Sequence, residues 1–186
     1  MRFRSIRALP ARRSAARRSL IGDHRGAAAL EFALVAGPLF AVMTAIFQVT
    51  LTFFAQQVLE TASEKAVRQL LTGSAQRSGM TRDQFKTLVC SKLPGFMKCA
   101  NVMINVRAAT SFSAADTARP TITYDSTGNP NNTWTFAPGN AGQITVAQVM
   151  YIWSVQSGPF GFDISTMSGS RRLLVATSVF KTETAS

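Results

Sequence analysis

The chain has 186 residues, enough for one modest domain plus a segment or two, and its 20 Lys and Arg against 9 acids give a formal charge of +11. Hydrophobic residues make up 46% and charged residues only 16%, which excludes disorder of the chain as a whole. One His and two Cys exclude a four-ligand zinc site, a cysteine-rich scaffold and an iron–sulfur cluster on four thiolates.

The positive charge is concentrated at one end. Residues 1–26 hold Arg2, Arg4, Arg7, Arg12, Arg13, Arg17, Arg18 and Arg25 against a single acid, Asp23. Such a tail is open to four readings: a nucleic-acid arm, a transit peptide, a twin-arginine export signal, or the cytoplasmic anchor of a membrane helix. The adjoining segment favours the last. No charge occurs from Phe32 to Leu59. A bilayer core of about 30 Å needs roughly 20 apolar residues in a helix, so this stretch is long enough to span. The positive-inside rule then leaves the tail in the cytoplasm and sends the C-terminal part across the membrane. Pro38, next to Gly37, lies inside the span and should bend it. Gln48, Thr44, Thr50 and Thr52 are its polar residues. They are open to two readings, bonding within the helix or contact with a partner helix.

The sharpest local signal is the junction Arg25-Gly26-Ala27-Ala28-Ala29-Leu30-Glu31-Phe32. A lone carboxylate opens an otherwise apolar run, and such groups are usually partnered or functional. A cut after Gly26 would give Ala27 a free amine, with Glu31 one helical turn away to pair with it. The alternative for Glu31 is a solvated carboxylate at the membrane surface. The order Gly26, four small or apolar residues, Glu31, Phe32 resembles the processing site of type IV pilins and pseudopilins. It is especially similar to the tight-adherence (Flp) variant, in which an aromatic follows the Glu. That aromatic is usually Tyr; here it is Phe32. With Pro38 a few residues on, the start resembles TadE-like proteins, minor pseudopilins of the tight-adherence pilus and secretion system. The stretch from Gln56 to Arg68 is similar to the family's amphipathic segment above the membrane, and that from Leu173 to Lys181 to its last strand.

The resemblance implies a processing and assembly site at Gly26, Ala27, Glu31 and Phe32, a prepilin peptidase as a possible partner, and contacts with inner-membrane lipid and other pilin-like or assembly proteins. Nucleic acid is not among the expected partners, and no cofactor or metal is expected.

Beyond Leu59 the helix should continue. Phe54, Val58, Ala62, Val67, Leu70 and Leu71 keep a three-to-four spacing, Glu64 and Arg68 are an i,i+4 pair, and Gly73 is a fitting stop. Thr81-Arg82-Asp83-Gln84 fits a capping box, followed by a short helix with Phe85, Leu88 and Val89 on one side. Cys90 and Cys99 match no metal motif; in an oxidising periplasm they read as a disulfide, the alternative being two free buried thiols. Strand character appears at Val102, Ile104 and Val106, over 144–155 and over 173–180, and more weakly over 121–124. Residues 109–118 and the Asp125-Ser-Thr-Gly-Asn-Pro run read as loops.

The expected fold is α+β: a long N-terminal transmembrane helix continuing as an amphipathic stalk, with a small antiparallel sheet domain. The expected division is a basic cytoplasmic leader over 1–26, a transmembrane helix over 27–55, a stalk over 56–73 and a periplasmic α+β domain over 80–186. His24 lies in the leader, so no His-based triad can form in the outer domain, and the chain is expected not to be an enzyme. The expected role is that of a membrane-anchored minor pseudopilin or assembly component. The alternative is an uncleaved, signal-anchored periplasmic binding or scaffolding module unrelated to pili. On either reading the full-length chain should need detergent for extraction, and a tag after Ser186 should be unreachable from the cytosol in protease-accessibility assays.

Overall fold

A computed structural model describes residues 26–183. The arginine-rich leader read from the sequence, apart from Gly26, lies outside the described residues, as does Ser186. The chain divides into two units, one up to Phe40 and one from Ala41.

Helix α1 runs Ala27–Leu71, the bounds expected from sequence, with Pro38 inside it. Its first half has no buried face. In the first unit Leu30, Phe32, Leu34, Val35, Leu39 and Phe40 are each more than half exposed; in the second, so are Val42, Met43, Ile46 and Phe47. A helix apolar on every side has no polar face to turn to water. With a mean hydropathy of 2.0 over its best window, α1 is long and apolar enough to cross a membrane.

At Thr52 the pattern changes. Thr52, Ala55, Leu59, Ala62, Ser63, Ala66, Val67 and Leu70 are buried, a stripe with three-to-four spacing. The stripe differs from the expected one in its first members. Phe54 is 53% exposed and Val58 half-buried, while Ala55 and Leu59 are fully buried. The seam takes a small residue beside a leucine, not the aromatic. Glu64 and Arg68 form no ion pair; both are exposed, where such a pair contributes little. The helix ends where Gly73 adopts a left-handed φ of 68°, with the Thr72 N–H donating to Arg68 O at 3.0 Å and the Gly73 N–H to Leu70 O at 3.2 Å.

A single turn, α2 (Ser74–Arg77), leads to α3 (Arg82–Cys90). The capping box is present: the Gln84 N–H donates to Thr81 Oγ1 at 3.3 Å and the Thr81 N–H to Gln84 Oε1 at 2.8 Å. Phe85 and Val89 face the core. Three strands complete the fold, β1 (Val102–Ala109), β2 (Ile144–Ser154) and β3 (Arg171–Lys181), in an antiparallel sheet of order β1-β2-β3. Val102 pairs with Tyr151, and Ser154 with Arg171.

Side-chain alternation gives the sheet two covered faces. One carries Val102, Ile104, Val106, Ala147, Val149, Tyr151, Leu174 and Ala176 against the α1 stripe and α3. On the other, Met150 and Leu173 meet Met167, Ile122, Tyr124 and Trp134 from the connecting loops. Asn105 and Gln148 are buried on the sheet as a hydrogen-bonded pair (3.1 Å), and the Gln148 amide also donates to Ala118 O. Burying these amides without partners would be costly. The weak strand over 121–124 does not form. Tyr124 makes one isolated bridge to Pro130, and the side chains of Asn131 and Asn132 bond Thr123 in place of a neighbouring strand.

The sheet has a distal and a proximal end. At the distal end the Glu183 N–H donates to Leu71 O (2.8 Å) and the Gln76 amide to Gly139 O (3.1 Å), fastening β3 and the loop before β2 to the end of α1. At the proximal end, where burial of α1 begins, the Gln56 amide donates to Val175 O at 2.9 Å. The stripe should therefore be sensitive where the first half of α1 is not. Leu59→Ala should lower stability in detergent by about 2–5 kcal/mol. Ile46→Ala should change it by less than about 0.5 kcal/mol, both followed by thermal unfolding of tryptophan fluorescence.

Candidate processing and assembly site

Gly26 directly precedes α1 and Ala27 is its first residue. Packing does not demand glycine there: among the described residues, an added Cβ would meet no heavy atom within 4 Å. Glu31 follows Ala27 by one helical turn and so shares its face. It is exposed and makes no hydrogen bond or ion pair with any described residue. Phe32 is 71% exposed. Ala27, Glu31 and Phe32 thus lie on the first turns of one helix directly after Gly26, the carboxylate without a partner among the described residues and set amid open apolar side chains.

The other polar residues of the apolar half behave differently. Thr50 donates to Ile46 O (2.8 Å) and Thr52 to Gln48 O (2.9 Å), so these hydroxyls are satisfied within the helix. Gln48 Oε1 is buried without a hydrogen-bond partner.

Cys90 and Cys99 form a disulfide, with their Cα atoms 5.5 Å apart. It lies in the second unit and ties the last residue of α3 to the turn before β1. Closing so short a loop contributes about 2–3 kcal/mol in the chain-entropy account. The loop it closes presents Phe96, half exposed, whose ring stacks on Phe54 (centroids 6.0 Å) and meets Trp153 edge-on (6.5 Å). Tyr151 lies beyond Trp153 and accepts from the Lys98 N–H at 2.9 Å. This aromatic group was not legible in sequence, since its members come from α1, a loop and β2. Phe54, placed in the core by its spacing, belongs to it instead.

Among the described residues, no three of His, Cys, Asp and Glu are placed to hold a metal ion. Two exposed carboxylates organise turns. Asp125 Oδ1 accepts from the Thr127 hydroxyl (2.7 Å), the Asn129 N–H (2.8 Å) and the Thr127 N–H (2.9 Å). The Thr127 hydroxyl and then the Asn129 amide hold its pKa below the ordinary 3.8. Asp163 is lowered in the same way, first by the Ser165 N–H and then by its hydroxyl. A depressed native pKa means that these bonds contribute fully above the unfolded-state value and are lost as pH falls through the lower native one. Carboxyl NMR titration should give midpoints below 3.8 for both groups, with the Thr127, Asn129 and Ser165 amide resonances moving at the same pH.

Residues 26–68 match the family described as TadE-like protein. No curated protein and no solved structure matches the chain. The matched segment begins at Gly26, takes in Glu31 and Phe32, and ends inside α1 at Arg68, so it includes the junction and most of the helix and none of the sheet. From Gly26 to Arg68, the junction and the helix it opens are TadE-like.

Proposed function

We propose that this chain is a membrane-anchored component of a tight-adherence pilus system, a minor pseudopilin or assembly protein that works by helix packing and protein contacts and not by catalysis. The TadE-like segment supports involvement in such a system. The observation that carries the reading is the junction itself. Packing does not require glycine at position 26, and among the described residues Glu31 has no partner at the head of an exposed apolar helix. A glycine that packing does not require fits recognition from outside, here by a prepilin-type peptidase. Cleavage after it would leave the Ala27 amine, with a pKa of roughly 7.7–8.0 and so largely protonated at neutral pH. That ammonium and Glu31, on its own or a neighbouring chain, would neutralise each other at the membrane surface and favour docking beside a pilin-like helix.

In this reading residues 1–26 form the cytoplasmic leader, 27–55 the span in a bacterial inner membrane, 56–73 the stalk, and 80–186 the periplasmic domain. Burial on the sheet begins at Thr52, in the last turn of that span, which supports a membrane surface close to it.

N-terminal sequencing of protein extracted from cells with an active prepilin peptidase should begin at Ala27. Gly26→Ala should abolish the cut while leaving thermal unfolding unchanged, because the added methyl has open space. A mature protein that still starts at Met1 would overturn processing and leave the anchoring reading standing.

A further inference from the structure

Beside the buried stripe, at the proximal end of the sheet, lies a cleft of about 400 Å³. Val49 and Phe53 of α1, with Ile164 and Leu174, form its apolar wall; Arg119 and Arg172 bring two guanidinium groups. The arginines come from the loop before β2 and the start of β3, far apart in sequence. We propose that this cleft seats the head group of an anionic phospholipid from the leaflet nearest the domain. The inference rests on the reading that α1 spans a membrane.

Three observations converge on lipid. The first is continuity: in the second unit, Val42, Met43, Ile46 and Phe47 are open apolar surface on α1 just before the cleft, and Thr52, which also lines it, is already buried. Acyl chains against residues 42–47 place head groups at the level of Val49 to Phe53.

The second is charge. No carboxylate lines the cleft. Glu60, one turn beyond Gln56, accepts from the Gln56 and Gln57 amides at 2.6 and 2.9 Å. Asp163, next to Ile164, is occupied by the Ser165 N–H and hydroxyl. Arg172 gives one N–H to Ile164 O (2.8 Å), which fixes its guanidinium and leaves other donors. Arg119 is exposed and makes no hydrogen bond or ion pair with any described residue. Guanidinium forks suit phosphate oxygens, and a base close to an anionic bilayer adds appreciable attraction.

The third is the aromatic group of Phe54, Phe96 and Trp153 at the same end of the sheet. Rings with an apolar body and partial exposure sit well at head-group depth. Phe160, 85% exposed at the tip of a turn with φ 56°, belongs to the loop between Gln156 and Ile164. Both ends of that loop line a second cleft beside Phe47, Gln48 and Leu51 of α1.

The test uses the full-length chain, extracted from membranes in mild neutral detergent and titrated with phosphatidylglycerol or phosphatidylcholine of the same acyl chains. Native mass spectrometry reads the bound lipid. Phosphatidylglycerol should be retained in preference. Arg119→Gln should weaken it about fivefold, with Arg119→Lys recovering most of the loss. Arg172→Gln should act in the same direction; because Arg172 also holds the loop at Ile164, the Arg119 pair decides the matter if that variant fails to fold. Inorganic phosphate should not displace the lipid. Equal retention of the two lipids, an unaffected Arg119→Gln variant, or displacement by phosphate each overturns the proposal. A chain that never enters the membrane fraction defeats the membrane reading instead. A membrane-resident chain without lipid preference defeats only the cleft.

Discussion

One helix in two surroundings is the constraint on which the rest of this molecule depends. Through its first half α1 offers apolar side chains in every direction, which no aqueous solvent would tolerate over such a length. From Thr52 it offers a stripe to one sheet face and polar residues such as Glu64, Lys65 and Arg68 elsewhere. The two halves answer to different physics. The first is long and apolar enough to cross a membrane, and its backbone hydrogen bonds are satisfied inside the helix. The second is held by close packing against a particular partner, where the size of each side chain matters. No charge marks the change, since the uncharged run continues to Leu59. The boundary is set by what the helix packs against.

That explains what could be read from the amino acids and what could not. The ends of α1 were legible because the apolar run opens just after Gly26, the three-to-four spacing holds to Leu71 despite Pro38, and glycine at position 73 stops it. The capping box, the disulfide and all three strands were legible because each is a local pattern or, for the disulfide, followed from the expected oxidising compartment. The choice of buried face was not. Phe54 is far bulkier than Ala55, and a periodicity reading prefers bulk, yet the sheet fully buries Ala55 and Leu59, leaving Phe54 half exposed and Val58 at the edge of the core. Phe54 finds its partner in Phe96, a residue positioned by a covalent bond between Cys90 and Cys99 and so invisible to spacing. The expected strand over 121–124 failed for a related reason. Its β-prone residues cover the outer sheet face as side chains, with Ile122 and Tyr124 packed beside Met150, while their backbone is satisfied by asparagine amides.

The junction is a reading of the sequence residue by residue, and the structure adds a reason to look outside the chain. Side chains that a fold needs for itself are packed, bonded or conformationally constrained. Among the described residues, Gly26 is not packed and Glu31 is not bonded. The paired amides Asn105 and Gln148 are the opposite case, polar groups fully consumed by the fold. The arginines of the proximal cleft fall between: Arg172 has one internal bond and Arg119 has none, and only tertiary structure brings them to the same apolar wall.

The buried stripe has a mechanical consequence. Its contacts run lengthwise along the rod from Thr52 to Leu70, and the distal clasp at Leu71 joins the same axis to the last strand. Tension applied along the helix axis at Thr52 would load these contacts in shear, all together, where a sideways pull would peel them one after another. A seam built this way resists being drawn out lengthwise far better than being levered off.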